Sequence, residues 1–245
     1  MDLIPPEEMI FVGAGDFKKI GNDFLKYFIE LGNLKPNARV LDIGCGIGRM
    51  AIPLTEYLDK TGSYEGFDIV SMGIDWCQKN ISTRHPNFQF QLAEIVNQSY
   101  NQNGTVQASD YKFPYEDESF DFIFLTSVFT HMLPKDMENY FSEITRVLKK
   151  NGRCLITFFL LNEESHRFIA AKQTSQDFQY VFKGYRAVDK NNPESAVAYE
   201  EDIIRKLYKQ HGFTIIEPIH YGAWCWRTNF LSYQDIIVAE KDGSN

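Results

Sequence analysis

The chain has little of what several functions require. Its 245 residues carry 25 lysines and arginines against 33 acids, a net charge of −8. A surface so short of positive charge suits nucleic acid poorly, because phosphates need basic patches; only a small local basic site stays open. None of the four cysteines, Cys45, Cys77, Cys154 and Cys225, forms a CxxC pair, which argues against a zinc ribbon or a thioredoxin motif. Such dispersed thiols suit a reducing compartment, and the cytoplasm is the expected one. No two histidines have the HExxH spacing, so no metal site is expected. No apolar run reaches the roughly 18 residues of a membrane helix. The start, MDLIPPEEMI, is too acidic and proline-broken to read as a signal peptide. There is no internal repeat and no low-complexity tract. What is present is 44% hydrophobic and 15% aromatic residues, enough for a full core in one large domain or two small ones.

The apolar positions are ordered. Residues 16–31 read as an amphipathic helix, with Ile20, Phe24, Tyr27, Phe28 and Leu31 on one face. Gly32 and Pro36 end it. A regular alternation then begins. A strand at Arg39–Ile43 leads into a glycine cluster and a helix reaching about Leu58. Strands follow at 64–70, 88–96 and 120–129, with a helix at 71–84. Residues 134–149 form a helix whose stripe is Met137, Tyr140, Phe141, Ile144, Val147 and Leu148. Pro134 suits its first turn and Asn151-Gly152 its exit. A fifth strand spans 153–161, a helix 200–210, and two last strands 213–221 and 233–240. Their connection is short enough for an antiparallel pair. Apolar strands between helices predict a parallel sheet covered on both faces. Two segments break the rhythm. Residues 97–108 are polar and loop-like. Residues 162–198 carry Phe178, Tyr180, Phe182 and Tyr185 without a clean period. That stretch is too long for a bare loop and reads as a small helical insert or lid.

Between the first strand and its helix lies VLDIGCGIGRM, residues 40–50, with glycines at 44, 46 and 48. The spacing fails two phosphate-binding patterns. A dinucleotide loop needs glycine or alanine where Arg49 stands, and a triphosphate loop needs Gly-Lys-Ser/Thr. Asp42, just before the glycines, would repel a pyrophosphate and favour a cation. Glycines would still let a ligand approach the backbone closely. The following helix N-terminus can accept a carboxylate. The bland alternative is a tight strand–helix turn kept for packing.

VLDIGCGIGR resembles the first motif of the class I S-adenosylmethionine-dependent methyltransferases. Four further segments are similar, in order: EGFDIV, then Ser109-Asp110-Tyr111 with FPYEDESFD, then FDFIFLTSVFTHM, then ITRVLKKNGRCLITFF. The similarity is dense over about 38–161 and loose over the last two strands. It implies an α/β fold: a Rossmann-like, doubly wound, seven-stranded sheet, parallel except for its last strand, with helices on both faces. It implies one domain over 1–245. Within it come a helical cap at 1–37, a cofactor-binding core at 38–161, the insert or lid at 162–198, and a C-terminal helix and strands at 199–245.

The implied cofactor is S-adenosylmethionine, a sulfonium without phosphate. Gly44, Cys45, Gly46 and Gly48 would cradle it near Asp42. Asp68 would accept both ribose hydroxyls, and Ile69 would pack on the adenine. Asp110 would accept from the adenine amino group, and the backbone of Tyr111 would meet a ring nitrogen. Thr126 would meet the methionine part, and Phe17, with Gly15, would fold over the ligand. For Asp68 and Asp110 the bland alternative is a solvated loop acid.

Methyl transfer is an in-line displacement, so the protein's main task is alignment and exclusion of water. His131, just after the fourth strand, is the candidate general base; it could instead cap the next helix. His85, His166, His211 and His220 are weaker candidates. Trp224-Cys225-Trp226-Arg227 could line an apolar or anionic pocket, or be a packed strand connection with Arg227 on the surface. The expected function is methyl transfer to a small-molecule acceptor, at oxygen before nitrogen or carbon. A monomer or homodimer is expected, with no nucleic-acid or membrane partner. The Asn/Asp-Pro-Pro-Tyr/Phe motif of nucleic-acid amino-methyltransferases is replaced here by LTSVF. Competing readings are a protein methyltransferase and a non-catalytic partner or sensor that binds the cofactor. A nicotinamide oxidoreductase is disfavoured by Arg49 and Asp42.

Overall fold

A computed structural model describes residues 3–243. Helix α1 (Phe17–Glu30) starts where the Asp16 carboxylate accepts the Lys19 amide at 2.8 Å, an N-cap. The alternation then follows as β1 (Arg39–Ile43), α2 (Ala51–Tyr57), β2 (Ser63–Asp68), α3 (Ser71–Cys77) and β3 (Phe88–Leu92). After them come β4 (Phe120–Leu125), α4 (Pro134–Val147), β5 (Leu148–Phe158) and β6 (Leu160–Leu161). The chain ends with α5 (Glu163–Ala170), β7 (Tyr180–Phe182), β8 (Tyr185–Ala187), β9 (Val197–Glu200), α6 (Glu201–Gln210), β10 (Phe213–Ile215) and β11 (Asp235–Lys241).

Seven strands form one sheet in the order β10-β11-β5-β4-β1-β2-β3. Strand β11 runs antiparallel to both β5 and β10, and the other pairs are parallel. This is the doubly wound Rossmann-like arrangement that the sequence implies. Successive side chains of a strand alternate faces, and the core divides accordingly. Leu41, Ile43, Ile123 and Leu125 join α4 and α6 on one face. Val40, Phe122 and Phe124 join α1, α2 and α3 on the other. Both faces are covered, which is why the central strands read as continuous apolar runs.

The insert departs from the helical expectation. It holds one helix, α5, and a β-hairpin whose strands join β6 and β9 in a second sheet, β6-β9-β8-β7. Lys183-Gly184 makes the two-residue turn, with Gly184 at φ 87°, and the Phe182 and Tyr185 rings stack across it at 4.8 Å. The strands are only three residues each and the exposed Val181 is apolar, so no alternation develops. Strand β10 is also shorter than the expected 213–221, ending before Pro218, which has no amide to give to a ladder. Among the described residues, no helix is long and apolar enough to cross a membrane.

Candidate active site

The C-terminal ends of β1, β2 and β4 open into a cavity of about 830 Å³. This is the crevice where open α/β sheets hold ligands. Its floor is the turn after β1. Gly44, Gly46 and Gly48 all take positive φ, at 78°, 56° and 82°, a conformation that costs other residues energy. The amides of Gly44 and Cys45 both donate to the Phe67 carbonyl, at 2.9 and 3.1 Å. The next amide, Gly46, donates to Asp68 Oδ2 at 2.7 Å, and Val70 N–H donates to Oδ1 at 2.9 Å. Asp68 thus fixes the loop while bordering the cavity. Burial pushes its carboxyl value up, and these amides oppose the shift.

Asp42 lies beneath this loop. The Tyr64 hydroxyl donates to its Oδ2 at 2.6 Å, whereas Oδ1 is buried without a partner among the described residues. Burial drives its pKa up to about 8; the Tyr64 hydroxyl pulls the other way and the Asp68 charge adds to the rise. A buried carboxyl with a free oxygen is costly unless something cationic meets it. Across the floor, Arg49 donates from Nη1 to the Val12 carbonyl at 2.8 Å and leaves Nε unpartnered.

The far side is built from the end of β4 and the insert. Thr126 borders the cavity. His131 ends a short 3-10 turn, Phe129–His131. Its Nδ1 lies 2.9 Å from the Glu194 carbonyl. A carbonyl only accepts, so Nδ1 carries the proton and Nε2 is left as an acceptor. Burial lowers the pKa of His131, which keeps the ring neutral. The Tyr100 ring meets it edge-on at 6.0 Å.

The cavity therefore gathers Asp42, Gly44, Cys45, Gly46, Asp68, Ile69, Thr126 and His131. Five expected residues lie outside its lining, Gly15 among them. Phe17 is buried in the first turn of α1, and residues 11–14 take the place over the glycine loop. A Cβ on Gly46 would lie 2.5 Å from Val12 Cγ1. Gly48 is buried behind the loop, where a Cβ would meet Ile81 and Cys77. Asp110 is exposed in a 3-10 turn and its carboxylate accepts from Ser109 Oγ at 3.2 Å. The Tyr111 amide closes that turn on Ala108, and its carbonyl accepts from Asn139. Trp224 is fully buried, and Arg227 is buried rather than on the surface; neither lines the cavity.

Residues 41–156 match the family model described as a methyltransferase domain. Within that segment the chain is similar to a methyltransferase domain. Over 150 residues it is 31% identical to phosphoethanolamine N-methyltransferase 1 of Arabidopsis thaliana, a match that takes in 61% of this chain and 26% of that protein. The chain thus spans about a quarter of that relative. Two solved structures share the fold. The PH0226 protein of Pyrococcus horikoshii OT3 superposes with a TM-score of 0.63 at 17% identity, covering 96% of this chain and 95% of that one. Magnesium protoporphyrin IX methyltransferase from Synechocystis PCC 6803, solved with bound S-adenosylhomocysteine, gives 0.57 at 15% identity, covering 96% and 92%.

The floor of the cavity fits S-adenosylmethionine. The free oxygen of Asp42 suits a cationic group, and the free Nε of Arg49 suits a carboxylate. Each Asp68 oxygen has a lone pair left after its backbone bond, as ribose hydroxyls require. Sequence reasoning missed the far wall of the cavity: Tyr100, Gln176, Glu194 and the 230–234 run. Two signals were available. Asn97 makes an Asx turn, accepting from Ser99 and Tyr100 amides, which turns a polar loop into a wall. NFLSYQ places three large apolar or aromatic residues in a strand connection, which is unusual for solvent-facing chain.

Proposed function

We propose that this domain transfers a methyl group to an oxygen of a small-molecule acceptor that loses a proton on reaction. When bound, S-adenosylmethionine supplies an electrophilic methyl on sulfur. The protein's share is positioning and proton acceptance. Asp42, Asp68 and Gly44–Gly46 would hold the cofactor, and the walls from residues 11–14 and 230–234 would keep water out. The single observation behind the oxygen assignment is His131. Its Nδ1–H is committed to the Glu194 carbonyl at 2.9 Å, which leaves Nε2 as the ring's acceptor in a residue that borders the cavity. Such a group can take the proton of a hydroxyl as the bond to carbon forms. A cavity of about 830 Å³ lies within the size range of small-molecule sites and supports a discrete acceptor.

The test uses purified protein titrated with S-adenosylhomocysteine and NADH in parallel, then a mass-spectrometric acceptor screen. Tight binding of NADH alone would sink the reading. With an acceptor in hand, His131→Ala should lower kcat by about 10²–10⁴-fold and leave S-adenosylhomocysteine affinity within about twofold. Because burial lowers the pKa of His131, wild-type kcat should stay level through neutral pH and fall only on the acid side of the ordinary histidine range. An unchanged kcat in the variant would make His131 structural.

A further inference from the structure

Gln234 stands where β11 begins, at the cavity wall. Its side chain is the end of a short polar chain. Ser127, the residue after Thr126, has φ 62°, a left-handed conformation rare for serine. That twist sends its amide to Thr157 Oγ1 at 2.8 Å and its hydroxyl to Gln234 Oε1 at 3.1 Å. Thr157 Oγ1 in turn donates to Gln234 Oε1 at 2.6 Å. Thr157 is only 1% exposed, so its hydroxyl proton has no water to turn to and must go to that oxygen. The amide orientation is therefore set by the network rather than free to flip. Both hydroxyls occupy the oxygen, and among the described residues the NH₂ group has no partner.

The backbone beneath is equally fixed. Asp235, the next residue, accepts from the Gly222 and Leu160 amides at 2.6 and 2.7 Å and from Trp224 Nε1 at 2.8 Å. A donor held this rigidly and left unpaired has the character of a recognition group.

The charges nearby narrow what it recognises. Asp68, Asp136 and Glu194 border the same cavity, and the one arginine among the described residues that line it, Arg49, stands on the glycine-loop floor beside Val12, where its free Nε is matched to the cofactor's carboxylate. An anionic oxygen of the acceptor would meet these acids with no cation of its own. Phe159, Val188 and Tyr233 make the neighbouring wall apolar. Resting on the methyl-transfer reading, we infer that Gln234 binds the acceptor: its NH₂ donates to a second, uncharged oxygen of the molecule, a carbonyl or a hydroxyl, beside the group that is methylated.

The experiment uses the full chain saturated with S-adenosylhomocysteine at pH 8 and three probes. These are 2-hydroxyacetophenone, 2-ethylphenol, which lacks the carbonyl, and salicylate, which adds a negative charge. Ligand-observed NMR titration gives each affinity. Wild type should bind the ketone about tenfold more tightly than either other probe, the weight of one neutral hydrogen bond. Gln234→Glu keeps an acceptor for Thr157 and Ser127 but removes the donor, so it should erase the preference while S-adenosylhomocysteine affinity stays the same. Gln234→Met should do likewise and serves if the first variant misfolds. No preference in wild type, no binding of the ketone, or a preference that survives both substitutions would overturn the assignment. Failure to bind S-adenosylhomocysteine would instead overturn the function on which it rests.

Discussion

The most informative single residue is Asp42, because its burial sets two measurable properties against each other. Its carboxyl value of about 8 lies far above that of an exposed aspartate. The folded protein therefore holds the proton more tightly than the unfolded chain. That contribution to stability is complete below the unfolded value and is lost as pH rises towards 8. A cation beside Asp42 favours the ionised form, so if the cofactor's sulfonium or ammonium lies there, its binding should release a proton at neutral pH. The affinity ratio of wild type to Asp42→Asn for S-adenosylmethionine should rise between pH 6 and pH 8 and level off above. The ligand's own ammonium titrates alike in both proteins, so the ratio isolates Asp42. The free Asp42→Asn protein should be the more stable of the two at pH 8, because the buried charge is gone. Calorimetric titration and denaturant midpoints at several pH values would read both. A ratio that does not change with pH would show that no cation meets this carboxyl.

At the scale of elements, the glycine loop is a joint between β1, α2 and the chain before α1. Gly46→Ala adds a Cβ at φ 56° and 2.5 Å from Val12 Cγ1. The left-handed backbone alone should cost about 1–2 kcal/mol in denaturant unfolding. Cofactor affinity should fall too, since the Gly46 amide positions Asp68. Adding Val12→Ala should restore the packing share but not the backbone share. Full recovery in the double variant would mean the φ strain is negligible. This loop was legible in the sequence because its parts are contiguous: strand end, glycines and Asp68 fall on two neighbouring strands. The strands themselves were legible for a related reason, since each is a local apolar run between helices, whereas their arrangement in the sheet rested on the family resemblance. Ends were read less well. The run 88–96 reads as one strand, yet β3 stops at Leu92, and Ile95 is buried outside the main sheet. The acceptor wall was not legible. Tyr100, Gln176, Glu194 and Gln234 come from four segments far apart in sequence, and no local pattern links them.

At the scale of the whole molecule, the buried Arg227 ties the insert to the main sheet, pairing with a buried acid on one side and an exposed one on the other. Arg227 donates to Glu164 on α5 at 2.6 Å and to Asp235 on β11 at 3.2 Å, and lies over the Tyr221 ring at 4.8 Å. Asp235 has no exposed surface, and burial raises its pKa to about 6, against the pull of the Gly222 and Leu160 amides and of Arg227. Arg227→Met keeps much of the side-chain volume but leaves that carboxylate without its counter-ion. Breaking a buried pair in this way costs about 3–5 kcal/mol. The loss should depend on pH, and its sign follows from the raised value. Without Arg227 the carboxyl value climbs further, so the variant should lose stability more steeply as pH rises through 6 towards 8. Urea denaturation should show a smaller deficit at pH 5, where Asp235 takes up a proton and needs no cation. Equal deficits at both pH values would mean that the surrounding amides alone hold the charge. Asp235→Asn in the same background separates these cases: if the unpaired charge is the cause, it should remove most of the pH-dependent part of the deficit. Since Gln234 precedes Asp235, the same comparison also shows whether this cluster keeps the acceptor wall in place, through a parallel change in the binding of 2-hydroxyacetophenone.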